Sequence, residues 1–396
     1  MSKAMKDSGI PWIGEIPAEW NLDLIGSLYT HRVEKVSDKD YPPLSVTKSG
    51  IVPQLETAAK TDDGDNRKLV KKGDFAINSR SDRRGSCGIS PYDGSVSLIN
   101  TILSPRINMN PRFYNWLFHT DSFADEFYKW GHGIVDDLWS TRWQEMKKIS
   151  IVVPTLVEQQ AIADFLDKKC SEIDELISLQ EKIIEELKAY KQSVITEAVT
   201  KGLNPDVPMK DSEFDWLDNY PSHWREGKIQ YVALLSSGTN LTTEQITETG
   251  EYPVFGGNGC RGYYSSYNNE GEYVLIGRQG ALCGNINLSY GKFWATEHAI
   301  VCYPKTNYSV HWFGYLLYSM NLNQYSLASA QPGLSVERIK QLFIPIPPVA
   351  EQQSIADYLD KKCEEIDSLI SLKQSKIEQL KEYKKSIIFE YVTGKK

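Results

Sequence analysis

The strongest constraint on the fold is that two long segments of this chain repeat one another. Residues 151–200 and 344–393 align without gaps, and about thirty of their fifty positions are identical. A shorter repeat precedes each of them, because residues 5–20 and 209–224 share Met, Lys, Asp, Ser, Pro and two Trp at equivalent positions. The order is therefore lead-in, variable region and long repeat, twice over. Self-similarity at one fixed spacing indicates duplication of a whole unit, with two divergent inserts on one scaffold.

Each long repeat is predicted to form a helix. Residues 158–199 contain no Gly or Pro and are rich in Glu, Lys, Leu, Ile and Ala, which favour helices. Pro154 precedes this stretch and Gly202 follows it, as expected for a helix start and stop. Apolar residues recur near heptad spacing, which is typical of a helix seam. The predicted seam consists of Leu166, Cys170, Ile173, Ile177, Ile184, Leu187 and Val194, with the equivalents Leu359, Cys363, Ile366, Ile370, Ile377, Leu380 and Ile387.

The two predicted helices are expected to pair with each other. About forty residues at 1.5 Å each make a rod of roughly 60 Å, whose apolar seam requires a partner. Pseudo-twofold duplication favours an antiparallel pair with one compact domain at each end. Gln180 and Lys373 interrupt the seams at equivalent positions near the middle. We therefore predict that they form a polar layer, within about three helical turns of each other, that helps to fix the register. The same geometry places Cys170 and Cys363 at opposite ends, which argues against a disulfide.

Composition narrows the class of protein. Hydrophobic content of 41% and charged content of 24% fit an ordinary globular chain, and the formal net charge is −8. No segment has the basic balance of a protein that neutralises many phosphates by itself, so local clusters or a basic partner would have to supply such contacts. No run of about eighteen apolar residues and no apolar N-terminal signal core are present, so we expect a cytoplasmic protein.

The sequence lacks the common catalytic motifs. It contains no P-loop, no dinucleotide-binding glycine motif between a strand and a helix, no H-E-x-x-H, no G-x-S-x-G and no methyltransferase tetrapeptide. The six histidines are isolated, and the six cysteines form no C-x-x-C pair, so no zinc site is indicated. These absences disfavour a stand-alone nuclease or methyltransferase.

The variable regions are predicted to be mixed strand and loop. The segments "GDFAINSRS" and "GEYVLIGRQG" each indicate a short buried strand that ends in a polar turn. Before each long repeat we predict a short helix followed by an extended strand. In the second copy Ser335 is the expected helix cap, and in the first copy Thr141 and Gln144 have the spacing of a capping box.

The first variable region contains a cluster of arginines in the segment "NSRSDRRGSCG", residues 78–88. Arginine can clamp a phosphate or read guanine with two hydrogen bonds, and the glycines allow close approach of the backbone. The alternative is a solvated loop with a salt bridge to Asp82. The candidate DNA-contacting residues of this region are Asn78, Arg80, Arg83 and Arg84, with Lys71 and Lys72 nearby.

The second variable region offers two glycine-rich segments, "VFGGNGCRGYY" (254–264) and "IGRQGALCGN" (276–285). Their candidate DNA-contacting residues are Asn258, Arg261, Arg278 and Gln279, whose side chains can reach base edges. Tyr263 and Tyr264 could lie against sugar or phosphate. The alternative is that both segments are hairpin turns with only structural roles.

Motifs in both long repeats carry a family resemblance. Residues 154–177 and 347–370 each contain Pro-x-x-x-Glu-Gln-x-x-Ile-Ala-x-x-Leu-Asp, and the lead-ins end in "IPAEW" and "YPSHW". The segments "YPVFGGNGCRGY" and "LIGRQGALCGNI" look like one recurrent class of recognition domain. In these residues the whole chain resembles the specificity subunits (HsdS type) of type I restriction–modification systems.

The resemblance implies an α+β architecture. Two globular α/β target recognition domains would be separated by two long conserved helices that pair as an antiparallel coiled coil with pseudo-twofold symmetry. The expected boundaries are a first recognition domain with its lead-in at 1–155, a first spacer helix at 156–203, a second recognition domain with its lead-in at 204–347, and a second spacer helix at 348–396.

The resemblance also implies a function without catalysis in this chain. Each recognition domain would read one half of a split double-stranded DNA target, and the helices would set the half-site spacing and dock two modification subunits. S-adenosylmethionine, ATP and Mg would be bound by the modification and restriction subunits, and none by this chain. The alternative is a non-catalytic coiled-coil scaffold without DNA readout.

Overall fold

The computed structural model describes residues 4–56, 64–133, 139–280, 282–326 and 333–396. Its contacts divide the chain into two compact units. Unit 1 comprises residues 1–180 and 375–396, and unit 2 comprises residues 181–374. Each unit therefore combines one lead-in, one variable region and a part of both long repeats.

In its described residues, unit 1 is built on short strands and four short helices, two of which have only four residues each. Its strands are β1 (Met5–Asp7), β2 (Glu15–Pro17), β3 (Asn21–Leu24), β4 (Tyr29–Arg32), β5 (Lys35–Val36), β6 (Leu44–Thr47), β7 (Gly50–Pro53), β8 (Arg67–Val70), β9 (Phe75–Asn78), β10 (Cys87–Ile89), β11 (Gly94–Val96), β12 (Asn100–Pro105) and β13 (Ser150–Val153). Its short helices are α1 (Ile25–Leu28), α2 (Pro111–Phe118), α3 (Asp121–Lys129) and α4 (Trp143–Met146). The strands form sheets of order β1-β2, β3-β13, β4-β12-β9-β10, β5-β8-β11 and β6-β7.

The first long helix, α5 (Leu156–Lys201), runs from unit 1 into unit 2. The strands of unit 2 are β14 (Met209–Asp211), β15 (Asn219–Pro221), β16 (Arg225–Lys228), β17 (Ala233–Ser237), β18 (Tyr252–Gly256), β19 (Gly259–Tyr264), β20 (Asn269–Glu270), β21 (Tyr273–Gly277), β22 (Ile286–Ser289), β23 (Lys292–Ala295), β24 (Ala299–Pro304) and β25 (Phe343–Ile346). Its short helices are α6 (Ile229–Val232), α7 (Val310–Ser319) and α8 (Val336–Ile339), and the second long helix is α9 (Val349–Val392).

The two units share one topology. The lead-in hairpins pair in the same register, with Met5 opposite Pro17 in one and Met209 opposite Pro221 in the other. The sheet of order β17-β24-β21-β22 in unit 2 corresponds to β4-β12-β9-β10 in unit 1, and β16-β25 corresponds to β3-β13. Unit 2 adds a second four-stranded sheet of order β19-β18-β23-β20, in which β18 and β23 are parallel. The variable regions thus keep a common framework although their sequences diverge.

Aromatic rings fill the core of unit 1. Phe118 lies 4.4 Å from Phe75 and 4.7 Å from Phe123 between ring centroids, and each of these side chains is at most 1% exposed. Leu166 of α5 and Val392 of α9 belong to the same buried cluster. Burial of one such side chain contributes about 1.5–3 kcal/mol, so the hydrophobic effect holds both long helices against the strands and short helices of unit 1.

The core of unit 2 is built in the same way. Trp312 and Phe313 of α7 are fully buried, and they share one cluster with Val199 of α5 and with Ile355 and Leu359 of α9. Apolar burial against α7 therefore explains why the start of α9 is apolar on one face. It is the counterpart of the contact that Leu166 makes in unit 1.

The long helices confirm the helix predicted over 158–199 and its repeat. In unit 1 they run antiparallel, because Phe165 of α5 stacks on Tyr391 of α9 at 4.3 Å while Asp174, further along α5, pairs with Lys384, earlier in α9. In unit 2, Lys191 of α5 pairs with Asp367 of α9. All the predicted seam residues are buried or half-buried.

The predicted polar layer of the seam remains a prediction. Gln180 and Lys373 are both half-buried, and they belong to different units. The six cysteines are free thiols, as expected.

The predicted capping box at Thr141 is wrong. Helix α4 begins at Trp143 with Arg142 as its N-cap, and the Thr141 hydroxyl donates to the carbonyl of Phe127 at 2.8 Å. Thr141 is fully buried, and a buried hydroxyl needs a hydrogen-bond partner within the protein. Here that partner is the carbonyl of Phe127. Ser335 does stand at the N-cap of α8, but its side chain makes no capping hydrogen bond.

Candidate nucleic-acid interface

The two polar motifs singled out in the variable regions occupy the same position in the two units. Residues 79–86, called connecting loop 1, join β9 to β10, and residues 278–285, called connecting loop 2, join β21 to β22. Both loops are closed by one backbone hydrogen bond of 2.8 Å, from Asn78 to Ser86 and from Gly277 to Asn285. Of their eight positions only one is identical, Gly85 and Gly284, which both have a positive φ. Strand pairing establishes that the other positions are equivalent.

Both connecting loops are fastened to the segment that leads into a long helix. The N–H of Thr141 donates to the carbonyl of Ser79 at 2.9 Å, and the N–H of Leu334 donates to the carbonyl of Arg278 at 2.8 Å. Thr141 and Leu334 are repeat-equivalent, and each comes two residues before a short helix, α4 or α8. Each loop is therefore held in a fixed place relative to the first turns of the long helix in its own unit.

A buried glutamine at the start of each long helix strengthens this junction. The Gln159 side chain accepts from the N–H of Asn110 at 2.8 Å and donates to the carbonyl of Pro154 at 2.9 Å. The Gln352 side chain does the same with Ser309 and Pro347, at 3.1 and 2.9 Å. Asn110 and Ser309 are the N-caps of α2 and α7. The repeated Glu-Gln-Gln motif thus has a structural role. Its first glutamine holds the start of the long helix against the short helix α2 in unit 1 and α7 in unit 2.

A second pair of equivalent contacts uses different chemistry in the two units. Asp167 accepts from Arg112 and Trp116 of α2 at 2.6 and 2.7 Å. Its equivalent Asp360 contacts His311 and Tyr315 of α7 at 2.7 and 2.9 Å. Partial burial disfavours the charged imidazole, but the hydrogen bonds and negative charges of Asp360 and Glu272 raise the pKa of His311 above its usual value. The junction is therefore permanently charged in unit 1 and titratable in unit 2.

Connecting loop 1 presents its arginines to different degrees. Arg80 and Arg83 both lie 3.6 Å from Asp82, while Arg84 pairs with Asp125 and donates to the carbonyl of Asp121 at 3.3 Å. The Arg83 side chain is 68% exposed, more than those of Arg80 and Arg84 at 36% and 45%. Exposed ion pairs stabilise by at most about 1 kcal/mol, so such a pair with Asp82 would not prevent Arg83 from contacting a ligand.

Lys71 and Lys72 do not join this cluster. They lie in the turn before β9, whereas connecting loop 1 follows β9, so the full strand of about 13 Å separates the two sites. The backbone of this turn is held by Asp74 and Asp93, which accept from the N–H groups of Lys71 and Lys72. Both ammonium groups are on exposed residues, at the opposite end of the sheet from the arginines.

In unit 2 the two glycine-rich segments pack against each other. A Cβ at Gly277 would collide with the carbonyl oxygen of Gly257, so the close approach of the β18–β19 hairpin to connecting loop 2 requires glycine there. Asn285 donates to the side-chain oxygen of Asn258 at 3.0 Å, and Arg278 donates to the Ser237 hydroxyl at 3.2 Å. The structure therefore brings Asn258, Arg278 and Gln279 together on two neighbouring loops.

The side chains that stay available in unit 2 are those of Arg261 and Gln279. Both are exposed, and neither makes a side-chain hydrogen bond or ion pair with any residue in the described ranges. Tyr264, by contrast, lies edge-on to Trp294 at 5.2 Å, and the backbone of Tyr263 is paired with Thr247. The tyrosines thus support the β18–β19 hairpin.

A cleft of about 600 Å³ lies beside connecting loop 1, and sequence reasoning missed most of its lining. One wall is the β6–β7 hairpin, with Lys48 in its turn, and the other is connecting loop 1 with Arg83. The floor includes Asn78 at the end of β9 and Asn100 at the start of β12. Lys48 and Asn100 lie far apart in the sequence, and no local pattern links them to the arginine cluster.

Within the described part of the chain, no helix is apolar over a length that would span a membrane. The same residues contain no cluster of three or more His, Cys, Asp or Glu side chains placed to hold a metal ion.

Comparisons with known proteins cover both units. A family model described as the type I restriction modification DNA specificity domain matches residues 221–382. The type I restriction enzyme EcoprrI specificity subunit of Escherichia coli is 34% identical over 196 residues, which are 47% of this chain and 48% of that protein. The putative type I restriction enzyme MjaX specificity subunit of Methanocaldococcus jannaschii is 24% identical across 97% of this chain and 95% of that protein. The match to the first relative thus spans about half of its length.

Solved structures share the fold over nearly the whole chain. One comes from work on complex assembly and conformational transition of the type I R-M system, with a TM-score of 0.74, 16% identity and coverage of 95% of this chain and 98% of that one. Another is the HsdS subunit from Thermoanaerobacter tengcongensis, with a TM-score of 0.55, 17% identity and coverage of 96% and 98%. At these identities the likeness establishes the fold.

Proposed function

This chain belongs to the specificity subunits of type I restriction–modification systems, and we propose that it reads a bipartite DNA sequence for such a complex. Each unit contacts one half-site of double-stranded DNA through its connecting loop. The observation that carries this proposal is the equivalent position of connecting loops 1 and 2, which differ at every position except one glycine. The two units share their strands but differ in the sequence of the loop at this position. Such an arrangement is expected if each unit binds a different half-site.

The exposed side chains at this candidate interface are of types that bind DNA. Arg83 in unit 1 and Arg261 and Gln279 in unit 2 are exposed on loops or hairpins. Arginine pairs bidentately with guanine or phosphate, and glutamine pairs with adenine in the major groove. Arg80, Arg84, Asn258 and Arg278 already make intramolecular hydrogen bonds or ion pairs, so we assign them first to holding the loops in shape.

The long helices set the spacing between half-sites. Each unit contains one lysine–aspartate pair between α5 and α9, and the two pairs are repeat-equivalent. These pairs and the apolar seam fix the register of the antiparallel helices within each unit. A change in helix length would then change the DNA spacer that the two readers accept.

The helices also dock two modification subunits. Unit 1 exposes Leu176, Leu179 and Tyr383, at 47%, 51% and 46%, and unit 2 exposes their equivalents Leu369, Leu372 and Tyr190, at 46%, 65% and 50%. Exposed apolar side chains that recur at equivalent positions favour two matching sites for two copies of one partner. Those partners would bind S-adenosylmethionine and methylate adenine, and restriction subunits would supply the ATP- and Mg-dependent nuclease, while this chain performs no catalysis.

One experiment tests DNA reading directly. Cells that express this chain with its modification subunit are sequenced for methylated adenine, and we expect one bipartite motif. Arg83→Ala should relax one half-site and Arg261→Ala the other, by about 1–3 kcal/mol per lost base contact. Lys129→Ala is the charge-matched control, since that exposed ammonium lies 3.6 Å from Glu126. Absence of any bipartite motif would favour a scaffold without DNA readout.

A further inference from the structure

The place beside connecting loop 1 that forms a cleft is packed differently in the described residues of unit 2. There, Gly257 and Gly277 bring the hairpin and connecting loop 2 into contact, and Arg261 lies against Gly256. In unit 1 the turn of the β6–β7 hairpin packs on β10, where Gly50 lies against Gly88. A cleft of about 600 Å³, a volume in the range of small-ligand pockets, lies between this hairpin and connecting loop 1.

Two amides sit side by side on the floor of this cleft. Asn100 at the start of β12 is directly opposite Asn78 at the end of β9, and residues opposite each other in antiparallel strands point to the same face. The positions that correspond in unit 2 are Gly277 and Ala299, which carry no polar side chain. The amide pair is therefore a feature of unit 1 alone.

The amides leave one donor and one acceptor unused. Asn100 is 4% exposed, and its Nδ2 donates to the Ser97 carbonyl at 3.0 Å, which fixes the orientation of the amide. Its Oδ1 accepts no hydrogen bond from any described residue. Asn78 accepts from the N–H of Arg80 through its Oδ1, while its Nδ2 makes no bond within the described ranges. This acceptor is buried in the free protein, so a ligand donor reaches it only with a small movement of the cleft wall, and the new bond would remove the cost of an unmet acceptor.

The rest of the cleft supplies apolar walls and a cationic rim. Leu44, Val46, Leu55 and Ile99 line it, so a flat apolar group can be enclosed. Lys48 and Arg83 lie at its edge on exposed residues, together with Asp82, whose carboxylate lies 3.6 Å from Arg83. Lys48 makes no side-chain hydrogen bond or ion pair with any residue in the described ranges. A ligand with a flat ring, a donor beside an acceptor, and a negative charge would match all three features.

We propose that this cleft binds a single unpaired nucleotide, with Asn78 and Asn100 reading the Watson–Crick edge of its base. In that edge every base presents a donor next to an acceptor, and a base inside a duplex has already used it. The leucine, valine and isoleucine side chains enclose the ring, and Lys48 and Arg83 meet the phosphate. The inference rests on the proposed function only in taking DNA as the source of the nucleotide.

The first test needs neither a partner nor a target sequence. Saturation-transfer NMR on the full chain is recorded with dAMP, dCMP, dGMP and TMP, and with the four nucleosides. We expect transfer to the base protons of at least one nucleotide, its loss in Asn78→Ala and Asn100→Leu, and no change in Lys129→Ala, whose exposed ammonium pairs with Glu126. Lys48→Ala should weaken nucleotide binding several-fold and leave nucleoside binding unchanged. No transfer to any nucleotide, or equal transfer in the Asn78→Ala protein, would overturn the proposal.

The second test separates free nucleotide from DNA. Duplexes that carry 2-aminopurine either unpaired or paired compete with the nucleotide that binds best. Competition by the unpaired base alone supports DNA as the source, while no competition by either duplex assigns the cleft to free nucleotides and overturns the DNA source. Absence of nucleotide binding by the wild-type chain, together with an intact bipartite methylation motif, would sink the cleft proposal and leave the proposed function standing.

Discussion

The ammonium of Lys384 on α9 donates to both carboxylate oxygens of Asp174 on α5, at 2.7 Å. The repeat-equivalent residues Lys191 and Asp367 make the same contact with the helices exchanged. Each helix thus contributes one lysine and one aspartate, and each unit contains one complete pair. Because a shift of either helix along its partner would break both pairs, they report the register of the antiparallel seam.

Charge reversal tests this register. Asp174→Lys or Lys384→Glu places like charges together and should lower the free energy of unfolding by about 1 kcal/mol, while the double variant should recover most of that loss. Denaturant titration measures each step. Lys188→Glu is the matched control, because Lys188 pairs only along its own helix with Glu185. A double variant no more stable than the sum of the single changes would argue against the contact.

Replacement of the buried glutamines, Gln159 and Gln352, should lower thermal stability far more than replacement of an exposed glutamine beside them. Gln159→Leu leaves the N–H of Asn110 and the carbonyl of Pro154 without their partner, at about 1–3 kcal/mol for each buried group. Gln352→Leu should have the same effect in unit 2, since its contacts are equivalent. Thermal unfolding of both proteins is compared with that of Gln353→Leu, whose side chain is exposed and bonds only Asp357. Equal melting temperatures for all three would contradict this role.

The two docking surfaces should act independently. Leu176→Asp should remove one modification subunit from the complex, Leu369→Asp the other, and the double variant both, because a charge in an apolar interface is costly to desolvate. Native mass spectrometry of the assembled complex counts the subunits. Glu175→Lys serves as a surface control, because Glu175 is next to Leu176 and is also exposed. Two bound subunits on the double variant would show that docking lies elsewhere.

Helix length should set the DNA spacer. Deletion of one heptad from both α5 and α9 keeps the apolar seam in phase and shortens the helices by about 10 Å. The methylated motif should then have a shorter spacer with both half-sites unchanged, which adenine methylation sequencing reads directly. An unchanged spacer would mean that the helices do not measure the distance.

The junction of unit 2 should respond to pH. The folded-state pKa of His311 is raised above 6.5 by Asp360 and Glu272, against the opposing effect of partial burial. Stability from the charged imidazole is therefore fully present below pH 6.5 and is lost as the pH rises through the folded-state pKa. The difference in unfolding free energy between the wild type and His311→Gln should shrink across that window. The His311→Arg protein has arginine at this position, as unit 1 has at Arg112. Its unfolding free energy should not change across this pH range, because arginine stays charged.

Local sequence patterns predicted the long helices and two of the strands, because helix and strand formation depends largely on residues that are close in the sequence. The long helices follow from composition and spacing, and strands β9 and β21 follow from apolar runs that end in polar turns. The capping box at Thr141 failed because its spacing is a local signal, whereas its hydroxyl is used by Phe127 across the core. Lys71 and Lys72 are near Asn78 in sequence yet lie at the far end of β9, because an extended strand separates neighbours by about 3.3 Å per residue.

The sequence alone determined that this protein is a duplicated scaffold with two divergent inserts, because repetition and helical periodicity are properties of the letters themselves. Tertiary structure decided which residues of the inserts correspond. Connecting loops 1 and 2 are equivalent through strand pairing with β12 and β24, and Asn78 meets Asn100 only across that pairing. Such relationships depend on hydrogen bonds between residues far apart in the chain, which leave no trace in local composition.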